Sequence, residues 1–264
     1  MAKVSPLYSI TILCLLTIFM LIILKYISYY KFDRPKIASA HIINLDSSKE
    51  RWAEIAEYAN EAKLPVQRWP AVRGKDIKEE DLVPMKLSKY IFKYGVMTNQ
   101  HGIIGCFLSH RTLLDHLKTL PSSPNDCHLV LEDDAFIPPD FLQQWENILD
   151  DVPNDWDMIM LGIQFPNLRQ LKGRVHTHLA NKGNVGTHAY MVRHKALPKI
   201  TKHLEYMYDA IDLMLRNKWK DWKIYILWPQ LCYVNDHGES TIVVKETKPK
   251  GLSFLQLSQN TIIS

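Results

Sequence analysis

Short apolar runs alternating with amphipathic stretches constrain this chain more than any other feature. Ile37–Asn44 (IASAHIIN), 66–71, 127–131 (CHLVL), 158–161, 189–192 and Ile224–Leu227 (IYIL) have the length of strands. Most of them are also apolar enough to be buried on both faces, as strands of a parallel sheet are. Pro70 cuts the second. Between them, 47–63 reads as a helix. Ser47 stands at its cap, Glu50 follows three residues on, and Trp52, Ile55, Ala56 and Ala59 form one face. Residues 102–120 form the clearest amphipathic helix, stopped by Pro121, and 141–149 reads as another. Two more helices are expected between 192 and 224. Strands alternating with helices predict an α/β fold, a mostly parallel sheet flanked by helices, over 37–264 as one domain.

Residues 1–36 stand apart. No charged residue occurs from Val4 to Leu24, and 7–24 reads LYSITILCLLTIFMLIIL, followed by the aromatic and basic stretch Lys25-Tyr26-Ile27-Ser28-Tyr29-Tyr30. About 20 apolar residues suffice to cross a bilayer, so this segment is expected to be one transmembrane helix that anchors the protein. Lys25, Lys31, Arg34 and Lys36 after the span outnumber Lys3 before it. That bias favours a cytosolic C-terminal domain, with the lumenal topology as the alternative. A net charge of +4 with scattered basic residues gives no reason to expect nucleic acid as a partner. Four cysteines, Cys14, Cys106, Cys127 and Cys232, are too few and too far apart for a disulfide framework or a paired zinc motif.

The residues with the most chemistry in them are Glu132, Asp133 and Asp134, directly after a buried strand. Adjacent carboxylates repel one another unless a cation or water intervenes. Ligands of open α/β sheets bind beyond the carboxyl ends of the strands. If the strand continues, Glu132 and Asp134 face one side together, and hard oxygen ligands suit magnesium or manganese carrying a phosphate. The alternative is a solvated acidic turn ahead of Pro138-Pro139. A second group is Gly102-Ile103-Ile104-Gly105-Cys106-Phe107-Leu108-Ser109-His110. Neighbouring helical residues diverge by about 100°, so Ser109 and His110 do not easily bond side chain to side chain and a serine-nucleophile reading has little support; no Gly-x-Ser-x-Gly elbow or Gly-rich P-loop occurs. A third is Asn44-Leu45-Asp46 at the end of the first strand with Arg51 in the next helix, able to meet a nucleotide or to pair with each other.

The order Ile43-Asn44-Leu45-Asp46 with Arg51, Gly105-Cys106-Phe107-Leu108-Ser109-His110, and Leu129-Val130-Leu131-Glu132-Asp133-Asp134 resembles glycosyltransferase family 25. That family holds bacterial lipooligosaccharide galactosyltransferases and animal procollagen galactosyltransferases. The likeness continues through Trp156-Asp157-Met158-Ile159-Met160-Leu161-Gly162, Gly186-Thr187-His188-Ala189-Tyr190-Met191-Val192 and Asp212, and covers roughly residues 37–240. It implies a GT-A-like, Rossmann-type fold and inverting, metal-assisted transfer of galactose or glucose from a UDP-sugar to a glycan, lipid-linked or protein acceptor. A divalent ion (manganese or magnesium) would sit on Glu132 and Asp134. His237, in the turn Asn235-Asp236-His237-Gly238, is a further possible ligand. Asn44, Asp46, Arg51, Ser109, His110 and Asp133 fall in the donor-binding region. Asp212 is the first candidate for the catalytic base and Asp157 the second. One departure stands out: Ala71-Val72-Arg73-Gly74 lacks the acidic or Asn residue that relatives tend to carry before the Gly. A catalytically inactive sugar-nucleotide-binding or scaffold protein of the same fold is the competing reading.

Overall fold

A computed structural model describes residues 6–32, 34–87, 100–180 and 182–235, with the side chains of the first helix described over 11–25. The central element is an eight-stranded sheet. Its strands are β1 (Ile37–Asn44), β2 (Gln67–Pro70), β3 (Cys127–Glu132), β5 (Met158–Met160), β6 (Leu168–Lys172), β7 (Val175–His178), β8 (Ala189–Arg193) and β9 (Ile224–Leu227), in the order β2-β1-β3-β8-β5-β9-β7-β6. β1 pairs in parallel with β2 and β3, and β5 with β9; β8 runs antiparallel between β3 and β5, and β7 antiparallel between β9 and β6. All strands except β7 and β8 therefore point one way, which makes the sheet mostly parallel as expected. Two short strands, β4 (Ala135–Phe136) and β10 (Tyr233–Val234), form a separate antiparallel pair beyond the end of β3. Pro70 is tolerated because β2 is an edge strand, where a missing N–H breaks no ladder.

Strand alternation divides the core into two layers. Ile43, Val130, Met158, Met160, Tyr190, Val192, Ile224 and Ile226 face one side, beneath α3 (Gln100–Leu117), α5 (Leu197–His203) and α6 (Ile211–Arg216). Ile42, Leu129, Leu131, Ile159, Leu161, Ala189 and Met191 face the other, beneath α2 (Lys49–Glu61) and α4 (Phe141–Ile148). Helix α3 packs Ile104, Phe107, Leu108, Leu113, Leu114 and Leu117 onto the sheet. Helix α2 starts one residue later than the capping pattern suggests. Ser48 occupies the N-cap without a side-chain cap bond, and Asn44 Nδ2 donates to the Ser48 carbonyl at 3.0 Å.

Two sequence expectations need correction. The N-terminal helix α1 (Pro6–Phe32) is present, but among the described residues no helix is long and apolar enough to cross a membrane. The single-pass anchor over 7–24 and the membrane topology inferred from it are thereby overturned. The interfacial stretch Tyr26–Tyr30 lies outside the described side chains. The hairpin β6–β7, in a region whose sequence gave no strand signal, extends the sheet at the edge opposite β2.

Candidate active site

The carboxyl ends of β1 and β3 open into a cavity of about 390 Å³. Its walls come from the β1–α2 turn (Leu45, Ser47, Ser48, Arg51), the segment 71–75, the first turns of α3, and Glu132 and Asp133. The segment 71–75 lies directly on α3 because both contacting positions lack a side chain. A Cβ on Gly74 would stand 1.7 Å from the His101 carbonyl oxygen, and one on Gly105 would stand 2.7 Å from the Val72 carbonyl oxygen. Ser109 fastens the same contact. Its buried hydroxyl donates to the Gly105 carbonyl at 2.6 Å and accepts the Val72 N–H at 2.8 Å. Ser109 thus shapes the cavity wall rather than presenting a free hydroxyl to a ligand. Arg73 and Lys75, exposed on this segment, leave the rim positively charged.

The three acidic residues do not continue the strand. β3 ends at Glu132, and Asp133 and Asp134 form a turn into β4, so the alternation that would have placed Glu132 and Asp134 on one face does not apply. Each carboxylate instead has its own surroundings. Glu132, on the α3 side of the sheet, accepts from Thr187 Oγ1 at 2.7 Å and pairs with His110 Nε2 at 3.1 Å. His110 Nδ1 in turn meets Tyr190 Oη at 3.0 Å. Since a carboxylate only accepts, the proton of the His110–Glu132 bond resides on Nε2, which leaves Nδ1 to accept from Tyr190. Burial opposes the charge on Glu132, but the hydrogen bonds from His110 and Thr187 outweigh it and hold the carboxyl below its ordinary range. Asp133, on the α2 side, accepts from Asn44 Nδ2 at 2.7 Å and pairs with Arg51 at 3.3 Å. Asn44 also receives Arg68 Nε at 2.7 Å, and Arg68 pairs with the exposed Asp46. Asn44, Asp46, Arg51 and Asp133 therefore form one polar network with Arg68, in which Asp46 is the outermost member.

Asp134 is the exception. Its Oδ1 is closed off from solvent with no hydrogen-bond partner among the described residues. Burial, reinforced by Glu132 and Asp133, pushes its carboxyl up to about 7. An enclosed carboxylate oxygen without a hydrogen-bond partner is chemically suited to a hard divalent cation, which would provide the missing partner and restore the charged form, but the carboxylates of Glu132, Asp133 and Asp134 are not gathered around one point. Asp212, in the first turn of α6, accepts the Gly186 N–H at 3.0 Å through Oδ2 and the Leu213 N–H at 2.8 Å through Oδ1. Burial raises its carboxyl in spite of these bonds, and the field of Glu132 adds to the rise. Asp212 and Glu132 thus belong to one electrostatic cluster, although they are 80 residues apart in sequence.

Asp157 does not belong to it. It precedes β5, where Arg193 N donates to its carbonyl, and Arg193 is paired with Cys127 at the start of β3. Glu132 is five residues farther along β3, about 16 Å at 3.3 Å per residue. The Asp157 side chain is buried, accepts the Lys223 N–H at 2.9 Å and pairs with Lys199. It anchors the end of the sheet opposite Glu132 and is not placed to act as a base beside it. His237 lies outside the described residues. The sequence also gave no hint of Thr187 and Tyr190 as partners of the His110–Glu132 pair. Thr187 lies just before β8 and Tyr190 within it, and the position of β8 beside β3 emerges only from the strand order.

The model of glycosyltransferase family 25 (LPS biosynthesis protein) matches residues 37–215. The chain belongs to glycosyltransferase family 25. Among its relatives are glycosyltransferase 25 family members of Aedes aegypti (30% identical over 135 residues), Anopheles gambiae (29% over 135) and Drosophila melanogaster (31% over 150). These alignments cover 49%, 49% and 52% of this chain but only 22%, 22% and 24% of the relatives. The chain thus matches less than a quarter of each relative's length. The matched residues of the family model include every site element described above, from β1 to Asp212.

Proposed function

We propose that the protein transfers a hexose, galactose or glucose, from a UDP-sugar to a glycan, lipid-linked or protein acceptor, with inversion at the anomeric carbon. The observation that carries this reading is the cavity at the carboxyl ends of β1 and β3, lined by Arg51, the basic segment 71–75, Glu132 and Asp133, with the buried carboxyls of Asp134 and Asp212 in the electrostatic field of Glu132. The donor nucleotide is assigned to the cavity between Arg51, the segment 71–75 and the start of α3, with its diphosphate toward the basic rim. Asp134 and Glu132 would hold a divalent cation (manganese or magnesium), with His237 as a further ligand. When bound, such an ion neutralises the charge that develops on the departing diphosphate.

Inversion requires a single in-line displacement. The acceptor hydroxyl oxygen forms a bond to the anomeric carbon as the bond from that carbon to the diphosphate oxygen breaks. UDP leaves with the electron pair, and the hydroxyl proton passes to a carboxylate. Asp212 is the group assigned to take it. Two backbone N–H groups fix its orientation, and a carboxyl raised above its ordinary range is a stronger base at neutral pH than a solvated one. Arg51 and Asn44 hold Asp133 on the α2 side, while Asp134 Oδ1 has no hydrogen-bond partner among the described residues.

The test is UDP release by the purified full chain supplied with UDP-galactose or UDP-glucose, with and without Mn²⁺, beside Asp212→Asn. Metal-dependent release that falls about 10²-fold or more in Asp212→Asn is expected. Binding of a UDP-sugar without any turnover would favour the sugar-nucleotide-binding alternative. A folded protein that binds no UDP-sugar would overturn the assignment.

A further inference from the structure

Cys106 has no part in the transfer chemistry above, yet its thiol lies on the cavity wall beside His110 and Glu132. One ligand atom from each of the three, Sγ, an imidazole nitrogen and a carboxylate oxygen, falls within 4.8 Å of the other two. We propose that Cys106, His110 and Glu132 form a binding site for a thiophilic divalent cation of the zinc class, open toward the cavity. The site differs in chemistry from the oxygen set proposed at Asp134 but shares Glu132 with it, so the two ions compete for that carboxylate.

Three features support it. Cys106 and His110 are four residues apart on α3, so both project from one face of the helix, and Glu132 meets them from the end of β3. Zinc bonds of about 2.0–2.3 Å require ligand atoms about 3.5 Å apart in a tetrahedron. His110 Nε2 and Glu132 Oε1 are already 3.1 Å apart, so closure on an ion needs only small side-chain rotations around the thiol. The outer contacts are also those that orient zinc ligands: Tyr190 Oη on the second nitrogen of His110 and Thr187 Oγ1 on Glu132. Three protein ligands with a fourth position facing a cavity is the arrangement of zinc sites that exchange a water or an anionic oxygen.

The proton balance is simple. On binding, the Cys106 thiol loses its proton to solvent. The neutral imidazole moves its proton from Nε2 to Nδ1, and the Tyr190 hydroxyl turns to accept it. A thiolate and a carboxylate then neutralise the two charges of the ion. A thiolate ligand selects zinc, cobalt or cadmium over magnesium and manganese.

Co²⁺ titration of the untagged, reduced full chain tests the assignment, because thiolate–Co²⁺ charge transfer in the near ultraviolet and tetrahedral d–d bands in the visible report both ligand type and geometry. Both are expected to saturate at one equivalent, to disappear on adding Zn²⁺ and to resist excess Mg²⁺. Cys106→Ser should abolish the charge-transfer band, and Thr187→Val should weaken Zn²⁺ binding about tenfold. The exposed Cys14 supplies the control, since Cys14→Ser should leave the spectrum unchanged. Should Cys106→Ser fail to fold, protection of Cys106 from alkylation by Zn²⁺ in the wild-type chain, read by peptide mass, carries the same test. Absence of a thiolate band at one equivalent, a band that survives Cys106→Ser, or a Cys106 that zinc does not protect would overturn the site.

Discussion

Replacing Asp134 by Asn should stabilise the protein even as it removes a metal ligand. The Asp134 carboxyl is pushed from an unfolded value of 3.8 up to about 7, by burial first and then by Glu132 and Asp133. Because the folded value lies above the unfolded one, the group does not penalise the folded state below about pH 4. The penalty grows as pH rises and levels off above 7. Three units correspond to about 4 kcal/mol at pH 8, of which about 2 kcal/mol is already lost at pH 5. Asn is nearly isosteric and uncharged, so Asp134→Asn should recover most of this. Urea denaturation in EDTA, run for wild type and variant at pH 5 and pH 8, measures it. A stabilisation roughly twice as large at pH 8 as at pH 5 is expected. A gain independent of pH, or a loss at pH 8, would refute the claim that burial raises this carboxyl in the folded state. The same experiment with Mn²⁺ in place of EDTA should stabilise the wild type and leave the variant unmoved, since only a chain that binds the ion gains from it.

Two further outcomes follow from the packing. Gly74→Ala places a Cβ 1.7 Å from the His101 carbonyl oxygen, so the 71–75 segment must lift off α3; a loss of about 1–3 kcal/mol in thermal unfolding and weaker UDP-sugar binding by calorimetry are expected. On the other side of neutrality, burial, aided by neighbouring histidines, lowers His41 and His128 to about 4. These rings are linked through Ser39 Oγ, and His128 continues to His194 at 3.1 Å. With folded values below the unfolded 6.5, the stability they confer is intact above pH 6.5 and is lost as pH falls toward 4, by about 3 kcal/mol for each ring. His128→Gln should therefore flatten the acid limb of the stability–pH curve, and an unchanged limb would contradict the assignment.

What could be read from the sequence follows from what leaves a periodic trace. β1, β3, β5, β8 and β9 are apolar runs because both faces of the sheet are covered, and α3 announces itself through a regular apolar stripe ended by Pro121. The hairpin β6–β7 leaves no such trace: Arg169, Gln170, Leu171 and Lys172 lie exposed on an edge strand, so neither face demands hydrophobic residues. The polar site was legible in its residue types but not in its pairings. Glu132, Asp133 and Asp134 look equivalent in sequence. Only the end of β3 and the turn after it send one to His110 and Thr187, one to Asn44 and Arg51, and leave Oδ1 of the third without a hydrogen-bond partner among the described residues. Asp157 misled for the same reason, because an acidic residue beside a strand carries no mark of which end of the sheet it occupies. For α1, the apolar run suggested a membrane span, and the described helix does not meet the length and apolarity that one requires.

The measurement that bears most directly on the function is a structure determined with UDP and Mn²⁺ bound. The nucleotide should fill the cavity between Arg51, the 71–75 segment and the first turn of α3, with an ion between its diphosphate and Asp134. UDP bound elsewhere on the fold, or an ion held without Asp134, would contradict the account.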